Sequence, residues 1–134
     1  MIETATTVEQ VLEAAPLYDE APREDAVRRF LDEPGHHLLL AREDGRVVGL
    51  VSGVETTHPD KGTEMFLYEL AVDESAQRRG HGRALVAALA DLARERGCYG
   101  MWVLTDHDNP AALATYSAAG GGPPSTHAMI TWTF

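Results

Sequence analysis

Residues 77–83, Gln-Arg-Arg-Gly-His-Gly-Arg, bring three arginines and two glycines together just ahead of a run of good helix formers. That combination suits an anion. A glycine-rich turn entering a helix leaves backbone N–H groups unpaired, and the helix N-terminus adds partial positive charge. Gly80 and Gly82 have no Cβ to block the approach of a phosphate. Arg78, Arg79 and Arg83 can add charge-assisted contacts. The stretch is not a Walker loop, because no Gly-Lys-Ser/Thr follows. It also holds only Gly80-x-Gly82 of a dinucleotide fingerprint, with Leu at 85. By itself it reads either as a phosphate site or as solvated arginines before an ordinary helix. The six histidines lack metal-ligand spacing, and Asp106-His107-Asp108 reads as an acidic turn, so no metal is expected. Cys98, the only cysteine, reads as a small core residue following a helix end.

The elements around this loop follow from periodicity and punctuation. Residues 2–6 form a first strand. Residues 7–15 read as a short helix with Val8, Val11, Leu12 and Ala15 on one face, capped by Thr7 with Gln10 at capping-box spacing. Residues 23–32 give a second helix with Ala26, Val27, Phe30 and Leu31 inward, stopped by Pro34-Gly35. A strand at 37–41 leads through the hairpin turn Glu43-Asp44-Gly45-Arg46 into a strand at 47–54. Residues 57–62 form a loop, and 64–72 a further strand. The clearest helix covers 82–96, with Leu85, Leu89, Leu92 and Ala93 at helical spacing and Gly97 beyond its end. A strand at 100–104 follows. Asn109 caps a last helix, Pro110 opens it, and it runs to about Ala119. A final strand is expected over 126–133. The order predicts an α/β fold with a mixed central sheet flanked by about four helices, its antiparallel meander leading into a strand–helix–strand unit.

The length, 134 residues, fits one domain with one core. No run approaches the length of a membrane helix, and the first residues lack the features of a secretory signal. With a single cysteine, this points to the cytoplasm. The net charge of −10 makes nucleic acid and anionic membrane poor partners; it reads either as favouring a cationic partner by long-range attraction or as acidity that serves solubility. The charge is uneven: residues 1–33 hold nine acids against three arginines.

Two motifs at the expected spacing give the chain a resemblance to the GNAT superfamily of N-acetyltransferases. Gln77-Arg78-Arg79-Gly80-His81-Gly82 matches the pyrophosphate signature Gln/Arg-x-x-Gly-x-Gly/Ala. Asn109, Ala112, Tyr116 and Gly120 match the later Asn-x-x-Ala-x-x-x-Tyr signature and its glycine. Within the superfamily, "FLYELAVDESAQRRGHGRALVAALADLARERG" resembles the GNAT-type aminoglycoside 3-N-acetyltransferases. The sequence departs from that group with Glu69 in place of Asp and with Leu104-Thr105 in place of Gln-Ala.

The resemblance implies that acetyl-CoA, as co-substrate, lies in a splay between two parallel strands, one ending near Val72 and the next starting near Gly100. The backbone of Leu70, Ala71 and Val72 would pair with the pantetheine arm, and an N–H there would face the thioester oxygen. A bulge in this strand is typical of the superfamily. The loop Gln77, Arg78, Arg79, Gly80, His81, Gly82, Arg83 and Ala84 would hold the pyrophosphate. Asn109 would contact the pantetheine or simply cap its helix, with capping the stronger reading. Tyr116 would be the general acid for the leaving thiolate, set against a half-buried helix tyrosine. Glu69 would be the general base, direct or through water. It alternates with Leu67 and Ala71 on one strand face, where an unpaired buried carboxylate calls for an explanation. Asp106 would bind or deprotonate the acceptor's ammonium, and Glu55 and Asp108 are weaker candidates for gripping a polycation.

An acetyl-cysteine route through Cys98 would need a neighbouring base, and none is evident, so direct attack in a ternary complex is expected. The expected acceptor is a primary amine of a cationic small molecule, first an aminoglycoside, with antibiotic resistance as the consequence. Other amines are open (a polyamine, an amino acid derivative, a protein amino group), and so is a non-catalytic acyl-CoA-binding module. The apolar "MITWTF" suits pairing with a second copy, which leaves a homodimer open.

Overall fold

The computed structural model describes residues 1–134. Five strands form one sheet in sequence order, β1 (Ile2–Thr4), β2 (His36–Glu43), β3 (Arg46–His58), β4 (Gly62–Val72) and β5 (Met101–Val103). The first four run antiparallel to their neighbours, and β4 and β5 are parallel. Four helices accompany them: α1 (Val8–Glu13), α2 (Glu24–Asp32), α3 (His81–Glu95) and α4 (Pro110–Ala118). None is long and apolar enough to cross a membrane.

Local chemistry explains most boundaries. Thr7 and Gln10 make the expected reciprocal capping box at α1. Asp44 and Gly45 both take positive φ, 51° and 79°, as a two-residue hairpin turn requires. Gly97, with φ 81°, follows the end of α3. The hairpin between β3 and β4 is tighter than its Pro and Gly residues suggest. β-Branched Thr57 and Thr63 face each other with hydroxyls 2.8 Å apart, so the strands run on to His58 and from Gly62. Ala26 lies exposed on α2, whereas Val27 is buried. The strand expected over 126–133 does not form: residues after α4 adopt no regular structure, because nothing in the chain pairs with them.

The sheet separates two apolar layers. On one side α3 places Leu85, Val86, Leu89 and Ala93 against Leu39, Val51, Met65 and Leu67. Each fully buried leucine there contributes roughly 1.5–3 kcal/mol. Gly53 makes this approach possible, since a Cβ on it would lie 2.8 Å from Met65 Sδ and 2.9 Å from Leu89 Cδ1. On the other side α1 and α2 cover Leu38, Leu40, Val47 and Leu50 with Val11, Ala14 and Val27.

One irregularity positions the site. Ser52 pairs with Glu69 but Gly53 pairs with Leu67, so Tyr68 is an extra residue in β4. This bulge reverses the facing of everything after it. Leu67 points to the α3 layer, and beyond the bulge Leu70 and Val72 do so, while Ala71 joins the opposite layer. Glu69 therefore shares a face with Ala71 and not with Leu67, contrary to simple alternation.

Candidate active site

The bulge also marks where β4 and β5 part. Their ladder covers Met65, Phe66 and Leu67 against Met101, Trp102 and Val103, and then stops. Tyr68–Val72 continues alone on that side, and the gap opens into a cleft of about 980 Å3. Its walls come from the end of β4, the loop and first turn of α3, the chain after β5, α4, and the segment around Asp19.

The floor at one end is the loop 77–83. Arg78 takes a left-handed φ of 62° and Gly80 one of 84° before α3 begins. The N–H groups of residues 78 to 83 find no acceptor within the chain; the first helical bond runs from Ala84 N–H to Gly80 O. Gly82 packs closely here, since a Cβ on it would meet Thr115 Cγ2 at 3.3 Å. This is a cradle of donors with the room that an anionic group needs. It fits the pyrophosphate of a coenzyme A ester.

The side chains of the loop divide into two sets. Arg78, His81 and Arg83 line the cleft, and Arg79 and Ala84 do not. Arg79 instead donates to Glu43 at the end of β2, and His81 Nε2 lies 2.7 Å from the same carboxylate. The His81 contact and, after it, the Arg79 guanidinium hold the Glu43 carboxyl below its usual range. Gln77 lines the cleft too, but its amide donates to Val72 O at 3.1 Å and closes the loop onto β4. Below it, Arg46 and the Ser75 hydroxyl and N–H bind Asp73, whose carboxyl is pushed down to about 2, chiefly by Ser75.

Two titratable groups face the cleft without partners. Glu69 is half-buried and accepts no hydrogen bond from the chain. Burial, and secondarily the charge of Asp19, raises its pKa. Tyr116 is half-buried on α4, packs on the α3 layer, and its hydroxyl is likewise unpaired. Burial raises its pKa, so it keeps its proton through the neutral range. Asn109 lines the cleft while its Oδ1 accepts from Ala112 N–H at 3.1 Å, so the capping role is made.

Other expected positions fall elsewhere. Glu55 sits toward the opposite end of β3, 12% exposed, with its Oε2 2.6 Å from His37 Nε2 and 2.8 Å from Arg96 Nε. It locks α3 to the sheet and is not available to grip an acceptor. Asp106 and Asp108 are exposed on the turn before α4, beyond the cleft lining, which after β5 reaches only Leu104 and Thr105 before it resumes at Asn109. Conversely, Leu17 and Asp19 line the cleft from the turn after α1. Next to them, the Tyr18 phenol is pushed up to about 12 by burial and by the charge of Glu69. Their only signal in the sequence was the acid-rich first quarter of the chain.

Comparison with known proteins matches the same span. The model of the acetyltransferase (GNAT) family covers residues 5–120. L-2,4-diaminobutyric acid acetyltransferase of Nocardia farcinica is 33% identical over 65% of this chain and 44% of its own length. N-alpha-acetyltransferase RimI of Mycobacterium tuberculosis is 37% identical over 71% of this chain and 58% of its own. The chain thus spans about half the length of these curated relatives. Among solved structures, an aminoglycoside acetyltransferase from a soil metagenomic sample, in complex with sisomicin, superposes with a TM-score of 0.91. It is 18% identical over 100% of this chain and 95% of that one. AAC(6')-Iy in complex with the bisubstrate analog CoA-S-monomethyl-acetylneamine superposes at 0.81, with 19% identity over 99% of both chains. At these identities the likeness is one of fold.

Proposed function

The chain belongs to the acetyltransferase (GNAT) family, and on that premise we propose that it is an acetyl-CoA-dependent N-acetyltransferase for a primary amine of a cationic small molecule. The carrying observation is one cleft with unpaired N–H donors of residues 78 to 83 at one end and unpartnered Glu69 and Tyr116 in its walls. The donors, with Arg78 and Arg83, hold the pyrophosphate, and the freed edge of Leu70–Val72 receives the pantetheine.

When bound, acetyl-CoA supplies an activated acetyl thioester. Glu69 takes a proton from the acceptor's ammonium, directly or through water. Its raised pKa brings it nearer the operating pH than an ordinary carboxylate. The neutral nitrogen bonds to the acyl carbon, the carbon–sulfur bond breaks as Tyr116 gives its proton to the departing sulfur, and the second proton that the nitrogen sheds on becoming an amide restores the Tyr116 phenol, while Glu69 releases its own to solvent. An N–H at the end of β4 receives the developing oxyanion charge. Cys98 is not among the cleft residues, and burial and then Glu55 push its thiol up. Attack is therefore direct, within a ternary complex, and draws on proximity and orientation.

An aminoglycoside is the acceptor we assign first. Asp19 and Glu69 stand together in the cleft of an acidic chain, and the residue 66–97 stretch resembles the 3-N-acetyltransferases. Acetylation removes a charge and weakens drug binding to anionic RNA. We assign the protein to the cytoplasm on its single cysteine. Thiol release with a panel of aminoglycosides, polyamines, diaminobutyrate and N-terminal peptides tests the reading, with product mass spectra locating the acetyl group. Activity confined to peptides would remove the drug reading. Acetylation at another ring position would replace the 3-N assignment alone.

A further inference from the structure

Arg78 and Arg79 lie between two anchored points of the loop and make no backbone hydrogen bond of their own. Gln77 N–H is bonded to Glu74 O, and the chain is next held where Ala84 N–H meets Gly80 O. Between these points Arg78 takes its left-handed φ of 62°. Asp44 is the other non-glycine residue with positive φ, and its short polar side chain suits that region. An arginine gains no such local support, so the conformation costs it free energy. Such a residue persists only where its surroundings over-determine it. With no backbone bond at hand, side chains must do so.

Gln77 holds the loop from one side, through its bond to Val72 O. From the other side Arg79 and His81 both reach Glu43. The carboxylate gives one oxygen to each, Oε1 to Arg79 and Oε2 to His81, the latter at 2.7 Å from Nε2. Glu43 ends β2 and pairs with Arg46 across the hairpin. Arg46 in turn donates to Asp73 and to the Ser75 hydroxyl, ahead of the loop. The tip of the β2–β3 hairpin therefore grips the segment 73–81 at both ends. By charge alone, a carboxylate is a poor neighbour for a phosphate cradle. Its contacts explain its place: Arg78 and Arg83 line the cleft with no partner in the chain, whereas Arg79 is turned aside to hold the loop.

We propose that Glu43 is a positioning residue for the cofactor. By gripping Arg79 and His81 it holds Arg78 in its left-handed turn and keeps the N–H groups of residues 78 to 83 aimed into the cleft. The inference rests on the reading of that cradle as the pyrophosphate site of a coenzyme A ester. A loop without this grip has to be ordered by the cofactor as it binds, and the ordering lowers affinity. Glu43 thus exerts two opposed effects. Its charge repels phosphate, and its grip preforms the donors that phosphate needs. The grip dominates, because Arg79 already neutralises the carboxylate locally and the remaining repulsion is screened by solvent and salt. The two effects predict opposite signs: without Glu43, binding tightens if charge governs and weakens if the grip does.

Calorimetric titration of the whole chain with coenzyme A tests the sign. Glu43→Ala loses both contacts and should raise the Kd about fivefold to tenfold. Glu43→Gln offers one amide oxygen in place of two carboxylate oxygens and should fall between. Asp44→Asn removes the same charge from the next position, which contacts neither Arg79 nor His81, and should leave the Kd within about twofold. Melting followed by circular dichroism should hardly change in any of them, because Glu43 and Asp44 belong to neither apolar layer. In turnover the loss should appear in the KM for acetyl-CoA, with the amine KM and the kcat at saturation kept. An equal Kd across the series, or tighter binding by Glu43→Ala, would overturn the inference and leave the cofactor reading standing. So would an Asp44→Asn variant that weakens binding as much as Glu43→Ala does. No binding of coenzyme A by the unaltered chain would overturn both.

Discussion

At the scale of the residue, the account rests on Tyr116 and Glu69. Tyr116→Phe would remove the proton that, on the proposed mechanism, reaches sulfur, and would leave the cradle at residues 78 to 83 intact. Turnover should fall about 100-fold or more, while the coenzyme A Kd, measured by calorimetry, should barely move; unchanged turnover would remove Tyr116 as the acid. Glu69 is tuned first by burial and then by Asp19. A base must be ionised, so kcat/KM should climb as pH rises through the raised Glu69 pKa. Asp19→Asn withdraws the second cause and leaves the first. The acid limb of the pH–rate profile should shift to lower pH yet stay above the ordinary carboxylate range. A limb that stays put would show that another group titrates there. Glu69, Tyr116 and the glycines of the loop were legible because each sits within a local motif. Asp19 and Tyr18 were not, because only the folded chain brings their turn to β4. Glu55 was misread for the same reason: its partners His37 and Arg96 lie 18 and 41 positions away.

At the scale of the element, the Glu55 lock makes a stability prediction separate from catalysis. Burial pushes the Glu55 carboxyl up, and the hydrogen bonds from His37 and Arg96 more than reverse this, so its pKa lies below the usual value. A depressed carboxylate contributes stability that is present above its unfolded pKa and is lost as pH falls through the folded one. Glu55→Gln should therefore cost roughly 1–2 kcal/mol near neutral pH and progressively less in acid, read as denaturation midpoints. The acceptor KM should not change; a raised KM would return Glu55 to the acceptor site. Helix caps and the Asp44-Gly45 hairpin were readable because their signals span a few residues. The bulge at Tyr68 was not readable at its position, because it is defined only by the register against Ser52 and Gly53. The strand pattern at 126–133 was readable as a pattern, but residues 122–134 make no backbone hydrogen bond to the sheet, so no strand forms there.

At the scale of the whole molecule, charge is the governing quantity. A net charge of −10 surrounds a cleft that carries Asp19 and Glu69 in its walls, while the arginines of the loop gather at the cofactor end. Attraction of a polycationic acceptor should be long-ranged and screened by salt. Raising ionic strength from low to physiological should lower kcat/KM for an aminoglycoside more than for a neutral-bodied monoamine; equal responses would count against the acidic surface as a guide. Composition carries the expectation of a cationic partner but not the division of the loop, where Arg79 turns away to Glu43. The central claim is that this cleft transfers an acetyl group directly to an amine. Acceptor-dependent thiol release from acetyl-CoA, measured with a purified aminoglycoside, tests it most directly. One thiol should appear for each amine acetylated, and none without the amine. Thiol release that ignores the amine, or no release from a protein that binds coenzyme A, would contradict it.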